Sequence, residues 1–196
     1  MGAGLLLLAL LSTADSGPAS TASVFDEDRV GYEVGGQASL GQTYWVLAAA
    51  GPTFGVDFRL RFGPHLGLGF TLESGYSKSP DIDHPWTLHR QQLAFDVQWR
   101  FDTGPGIRPW VSLGMGFGSI HLEYDDLPFR SSAHTVDFAR LGLGVDFLAG
   151  RFLALGPFVR GSLGHTRLPA EDDPSGADTG RSLDSLEVGV RVLFGF

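Results

Sequence analysis

The chain of 196 residues contains no cysteine, a single lysine (Lys78) and only 18% charged residues. Without cysteine it forms no disulfide, offers no thiol nucleophile, holds no zinc through thiolates and carries no lipid on an N-terminal cysteine. A soluble domain is about 25% charged, so the shortage of charge points to a surface that largely avoids water. The formal charge of -8, with no basic cluster, excludes nucleic acid as a partner. Catalytic signatures are missing too. There is no Gly-x-Ser-x-Gly elbow, nucleotide-binding loop, His-Glu-x-x-His pair or EF-hand spacing. The clearest apolar run, residues 5–11, is far shorter than the roughly 20 residues of a membrane-spanning helix.

That short run reads instead as a secretory signal over residues 1–14, with cleavage after Ala14 and alternatives after Ala19 or Ala22. No Lys or Arg precedes it, which is atypical, and a buried N-terminal segment is the competing reading. Residues 15–29 would then be a periplasmic lead-in, and residues 30–196 the folded domain.

What the chain has in abundance is glycine (28) and phenylalanine (15), arranged with a period of two. The segment TFGVDFRLRF puts Phe54, Val56, Phe58, Leu60 and Phe62 on one face, and Gly55, Asp57, Arg59 and Arg61 on the other. The same alternation marks eight strands at 30–40, 53–62, 66–76, 93–101, 111–117, 139–147, 155–163 and 186–196. The first is the least regular and its end is open, with an extension to Val46 as one option. Each approaches the 9–11 residues of a tilted membrane-spanning strand. Connections alternate between short (63–64, 102–109, 148–153) and long, polar ones (77–90, 122–134, 166–182). Short turns at one end and long loops at the other are the plan of a transmembrane barrel. The predicted fold is all-β, a closed antiparallel eight-stranded up-and-down barrel.

The distribution of charge sets its inside and outside. One face of the predicted strands carries no Asp, Glu, Lys or Arg. The other carries Glu33, Asp57, Glu73, Asp96, Asp146 and Glu187, together with Arg59, Arg61, Arg100, Arg140, Arg160 and Arg191. In hydrocarbon an outward arginine costs about 2–4 kcal/mol at mid-depth, so the charged face must line the lumen. An eight-stranded barrel has an interior that side chains can fill. A plug of paired charges is therefore expected, and inward glycines leave room for it. Tyr32, Phe62, Trp99, Phe101, Trp110, Phe147 and Phe196 near the short turns, and Tyr44, Trp45, Phe54, Tyr76 and Tyr124 near the long loops, are expected to form two aromatic belts.

At the C-terminus, Val188, Val190, Val192, Phe194 and Phe196 alternate in LEVGVRVLFGF. This resembles the terminal strand of bacterial outer-membrane barrels. The chain as a whole resembles small eight-stranded barrels of the OmpA transmembrane-domain, OmpX and OmpW type. The resemblance implies an integral protein of the bacterial outer membrane whose last strand is read by the barrel-insertion machinery and whose surface loops carry its particular role. Outer-membrane lipid and lipopolysaccharide are the partners it implies. A monomer without cofactor is expected.

Three constellations invite chemistry. Asp81, Asp83 and His84, the group Glu123, Asp125 and Asp126, and the group Glu171, Asp172 and Asp173 are acidic loop clusters, read here as solvated acids. Ser119, His121 and Glu123 share one face at the loop end of the fifth predicted strand and form the best candidate for a lipid A-modifying hydrolase. The inward charges would suit a narrow channel for small solutes. A soluble lipocalin-like carrier would need an apolar interior, contrary to the pattern. The favoured role is structural or surface-interacting, without enzymatic activity.

Overall fold

A computed structural model describes residues 30–43, 50–78, 85–101, 103, 106–124, 130–167 and 181–195. The predicted signal (1–14), the lead-in (15–29), Val46, the belt residues Tyr44 and Trp45, and Phe196 lie outside the described residues.

Eight strands follow one another: β1 (Val30–Thr43), β2 (Gly51–Phe62), β3 (Leu66–Lys78), β4 (Trp86–Arg100), β5 (Ile107–Tyr124), β6 (Arg130–Leu148), β7 (Leu153–Arg167) and β8 (Arg181–Gly195). Each pairs antiparallel with the next, and β1 also pairs with β8, from Glu33 opposite Gly195 to Thr43 opposite Ser185. The sheet is a closed barrel. Closure leaves no row of unpaired N–H and C=O groups, which hydrocarbon would not tolerate. Among the described residues there is no helix.

The three turns at one end each contain a glycine with positive φ: Gly63 at 66°, Gly106 at 86° and Gly150 at 111°. A side chain at those angles would be strained. Pro157 lies within β7, where the ladder to β6 is interrupted between the pairs Gly144–Phe158 and Phe147–Leu155. A residue without an N–H fits that gap.

The polarity of the barrel is inverted relative to a soluble domain. Leu68, Phe70, Phe95, Val97, Leu113, Met115, Leu141, Leu143, Val159, Val188 and Val190 are all exposed on the outer wall. Such an apolar expanse far exceeds what a water-soluble monomer shows. The soluble carrier reading fails on this point, because the charged residues occupy the inside.

Several strands run longer than alternation indicates. β4 begins at Trp86 instead of 93, β5 covers Ile107–Tyr124 instead of 111–117, and β6 begins at Arg130 instead of 139. In β6 the cause is a bulge. Gly116 faces Asp137, but Gly114 faces Arg140, so one extra residue lies between them. A bulge changes the parity of the strand. Val136 and Phe138 point out before it, and Leu141 and Leu143 after it. In β4 and β5 the pattern reverses toward the loops. There the outer positions are polar (His89, Gln91, Ser119, His121), while Leu88 and Ile120, each 2% exposed, pack together inside against Trp86 and Leu122.

Candidate functional site

Among the described residues, ionisable groups concentrate away from water in the lumen. Glu33, Asp57, Arg59, Arg61, Glu73, Arg100, Arg140, Asp146, Glu187 and Arg191 are buried inside the barrel, and Asp96 and Arg160 nearly so. Arg90, Arg108 and Asp137 join them. Sequence reasoning missed Asp137 because the bulge separates it from the alternation of the rest of β6. It placed Arg90 in a loop because both faces of β4 are polar there.

The charges are stacked in levels from the short-turn end upward. Lowest, the Arg100 guanidinium grips both carboxylate oxygens of Glu33, donating from Nη1 at 2.5 Å and also from Nη2. Above it, Arg191 donates to Asp146 from Nε at 2.9 Å and from Nη2 at 2.6 Å, a bidentate pair. Arg191 also reaches across the lumen to Gln98 Oε1 at 3.2 Å. On the opposite wall, Arg59 meets Asp96 at 3.2 Å, and Thr71 donates to Asp57 at 2.6 Å.

Glu73 holds the middle of the barrel together. It accepts from Arg140 Nη2 at 2.7 Å, from Arg160 Nη1 and from Gln37 Nε2 at 2.6 Å. Four strands (β1, β3, β6 and β7) are tied by this one carboxylate. Higher again, Asp137 accepts from Arg90 at 3.0 Å and from Gln92 at 2.6 Å, while Arg90 lies 3.7 Å from Glu187. On the loop side of Arg90, Leu88 and Ile120 pack together against Trp86 and Leu122. Two cavities among these groups, about 20 Å³ beside Arg90 and Glu187 and about 10 Å³ beside Asp96, Arg140 and Arg160, have room for little more than a single water.

Trp110, expected in the outer belt, is buried in the lumen instead. Its ring lies under the Arg191 guanidinium at 3.8 Å, and its Nε1 donates to Asp146 at 3.3 Å. Gly142 and Gly144 make this possible, since a Cβ on Gly144 would fall 2.4 Å from the indole. A tryptophan of the correct period at the end of a strand cannot be placed by type alone. Its position in the alternation decides its face: the even-numbered positions of β5 point into the lumen from Arg108 to Ile120.

On the outer wall, Ser119 Oγ lies 3.3 Å from His121 Nε2, and Glu123 follows on the same face. His89, His134 and His165 are also exposed on the outer side. Among the described residues no three His, Asp or Glu side chains are grouped to hold a metal ion. The clusters 81–84, 125–126 and 171–173 lie outside the described residues. In β8, Val188, Val190, Val192 and Phe194 face outward, as does Leu186, while Leu193 turns inward against Ala154.

Comparison with solved structures gives the same architecture. Neisserial surface protein A matches with a TM-score of 0.61 and 14% identity, over 84% of this chain and 97% of that one. Ail, the attachment invasion locus protein of Yersinia pestis, matches at 0.56 and 10% identity, over 86% and 99%. OprG of Pseudomonas aeruginosa matches at 0.54 and 9% identity, over 88% and 98%. Identities this low speak for the fold alone. No curated protein matches the sequence. The family described as outer membrane protein beta-barrel domain matches residues 3–194, so this chain, with its apolar outer wall and closed eight-stranded sheet, belongs to that family and is a protein of the bacterial outer membrane.

Proposed function

We propose that this protein is a charge-plugged membrane scaffold that presents its acidic loops for surface interaction, without conducting solutes. One observation carries the reading: ion pairs cross the lumen from β1 to β4, β4 to β8, β3 to β6 and β3 to β7. A solute would have to break several buried pairs in sequence. Breaking one by removing a partner costs about 3–5 kcal/mol. Outside the strands the sequence places acids at 81, 83, 125–126 and 171–173, which favour a cationic or cation-bridged partner at the cell surface. Ail, named for attachment and invasion, shares this fold and lends the surface role support by analogy only. In insertion, Val188, Val190, Val192, Phe194 and Phe196 serve as the signal read by the assembly machinery, and the protein works as a monomer surrounded by lipid. The test is conductance in planar bilayers. The refolded barrel is expected to leave the bare-bilayer current unchanged, and a steady single-channel current would replace this reading with a narrow channel.

A second reading rests on the Ser119–His121 hydrogen bond. A serine beside a base on the outer wall is the beginning of an ester hydrolase directed at lipid. Lipid A recovered from cells producing the chain is expected to have an unchanged mass spectrum. Loss of an acyl chain that Ser119→Ala abolishes would establish the hydrolase instead.

A further inference from the structure

Past the last apolar residues, the outward rows of β3, β4 and β5 run on toward the loops within the paired sheet. They go from Leu72 through Ser74 to Tyr76, from Leu93 through Gln91 to His89, and from Phe117 through Ser119 to His121. The three end residues form one cross-strand row, with Tyr76 opposite His89 and His89 opposite His121. Two imidazoles are therefore direct neighbours on paired backbone, both exposed on the outer side. Such neighbours stand about 4.5–5.5 Å apart at Cβ. A bond from an imidazole nitrogen to a metal is about 2.0–2.1 Å, so side-chain rotation alone brings both rings onto one ion.

Each ring already has an orienting contact. His89 meets the Tyr76 ring edge-on, with centroids 4.9 Å apart. His121 Nε2 lies 3.3 Å from Ser119 Oγ. When Nε2 carries the proton and donates it to that hydroxyl, the Nδ1 lone pair is left to bind a ligand. Metal-ligating histidines commonly hold their other ring N–H in this way. Glu123 is the next outward position on β5, opposite Thr87. The Lys78 ammonium stands on the β3 side, 6.0 Å from the centre of the Tyr76 ring. A polar border needs only groups such as Ser74, Gln91 and Ser119, and does not call for two adjoining imidazoles.

We propose that His89 and His121 form a two-histidine site for a divalent transition-metal ion of the zinc and copper class. Imidazole nitrogen suits these ions, whereas magnesium and calcium take oxygen ligands. Among the described residues no third ligand is grouped with the pair, so water completes the coordination and the ion stays exchangeable. The site depends neither on whether the lumen conducts nor on hydrolysis at Ser119.

Calorimetric titration of Zn²⁺ into the full chain, folded in detergent with excess Mg²⁺ present, tests it. Zn²⁺ is expected to bind despite the Mg²⁺, and an absence of binding would overturn the proposal. His89→Gln and His121→Gln should each keep the boiled-versus-unboiled mobility shift. Each should weaken Zn²⁺ binding on the order of a hundredfold, because each leaves a single ligand where two act together. His165→Gln, on the outer face of β7, should leave binding unchanged. Undiminished binding in either folded variant of the pair, or an equal loss in His165→Gln, would assign the metal elsewhere and overturn the site. Should the paired variants fail to fold, electron paramagnetic resonance of the unmodified chain with Cu²⁺ decides. Splitting from two imidazole nitrogens is expected, and a spectrum of oxygen ligands alone would overturn the proposal.

Discussion

Replacing Glu73 by alanine is expected to destabilise the barrel by about 3–5 kcal/mol, the largest loss of any single lumen substitution. Its carboxylate lies between Arg140 at 2.7 Å and Arg160, and it also accepts from Gln37. Without it two guanidiniums remain buried with weaker support. Arg140 Nε is 4.0 Å from Asp137, and Arg160 Nη1 is 3.6 Å from Glu187. Those distances are too long for good hydrogen bonds. The stabilisation lost is mostly the cost of an uncompensated buried charge, not the net worth of the pair. Glu73→Gln should therefore fall between wild type and alanine, since the amide oxygen still accepts but no longer neutralises. Equilibrium unfolding by urea in lipid vesicles, followed by tryptophan fluorescence, measures both. A loss under about 1 kcal/mol, typical of solvated surface pairs, would show a wet, screened lumen, and the channel reading would gain from it.

The same carboxylate shows why the plug was partly legible in the sequence. Glu73 sits in a strand where Leu68, Phe70 and Leu72 alternate with Gly67, Gly69 and Thr71, so its face could be assigned without structure. Asp57, Arg59, Asp146 and Arg191 were legible for the same reason. Which acid meets which arginine was not legible. Glu73 and Arg160 stand on strands far apart in sequence, and barrel stagger rather than local spacing brings them together. The stretches that were lost mark two physical limits. The β6 bulge shifted the parity and hid Asp137, whose contribution depends on that shift. Toward the loops, the rule of apolar outside and polar inside reverses. Leu88 and Ile120 turn inward while His89 and Ser119 face out. A reader following one polarity along the strand stops where the membrane stops, and takes the remainder for loop. The ends of the apolar rows in β3 to β6, at Leu72, Leu93, Phe117 and Val136, trace the outer border of the hydrocarbon. The strand residues beyond it belong to a short rim with ordinary soluble-protein polarity.

That border makes the second large effect specific. Leu113→Arg is expected to cost about 2–4 kcal/mol in a bilayer. Leu113 is 62% exposed near the middle of the outward row of β5, and its cross-strand neighbours are Val97 and Leu141. All three face lipid, so an arginine there has no carboxylate to pair with and must bend toward a headgroup. His121→Arg, farther along the same face of the same strand, should cost no more than about 1 kcal/mol, because near the interface the penalty fades. Both variants are compared by reversible denaturant unfolding from phospholipid vesicles. The gap between them is the informative quantity, since it cancels any general effect of adding arginine to a strand. If the wall faced water, an exposed arginine at Leu113 would fall within the usual ±0.5 kcal/mol of a surface substitution, and the two variants would be indistinguishable. A gap near zero would thus contradict the lipid-facing wall, whereas a gap of about 1–4 kcal/mol would locate the border of the hydrocarbon on β5 between Leu113 and His121.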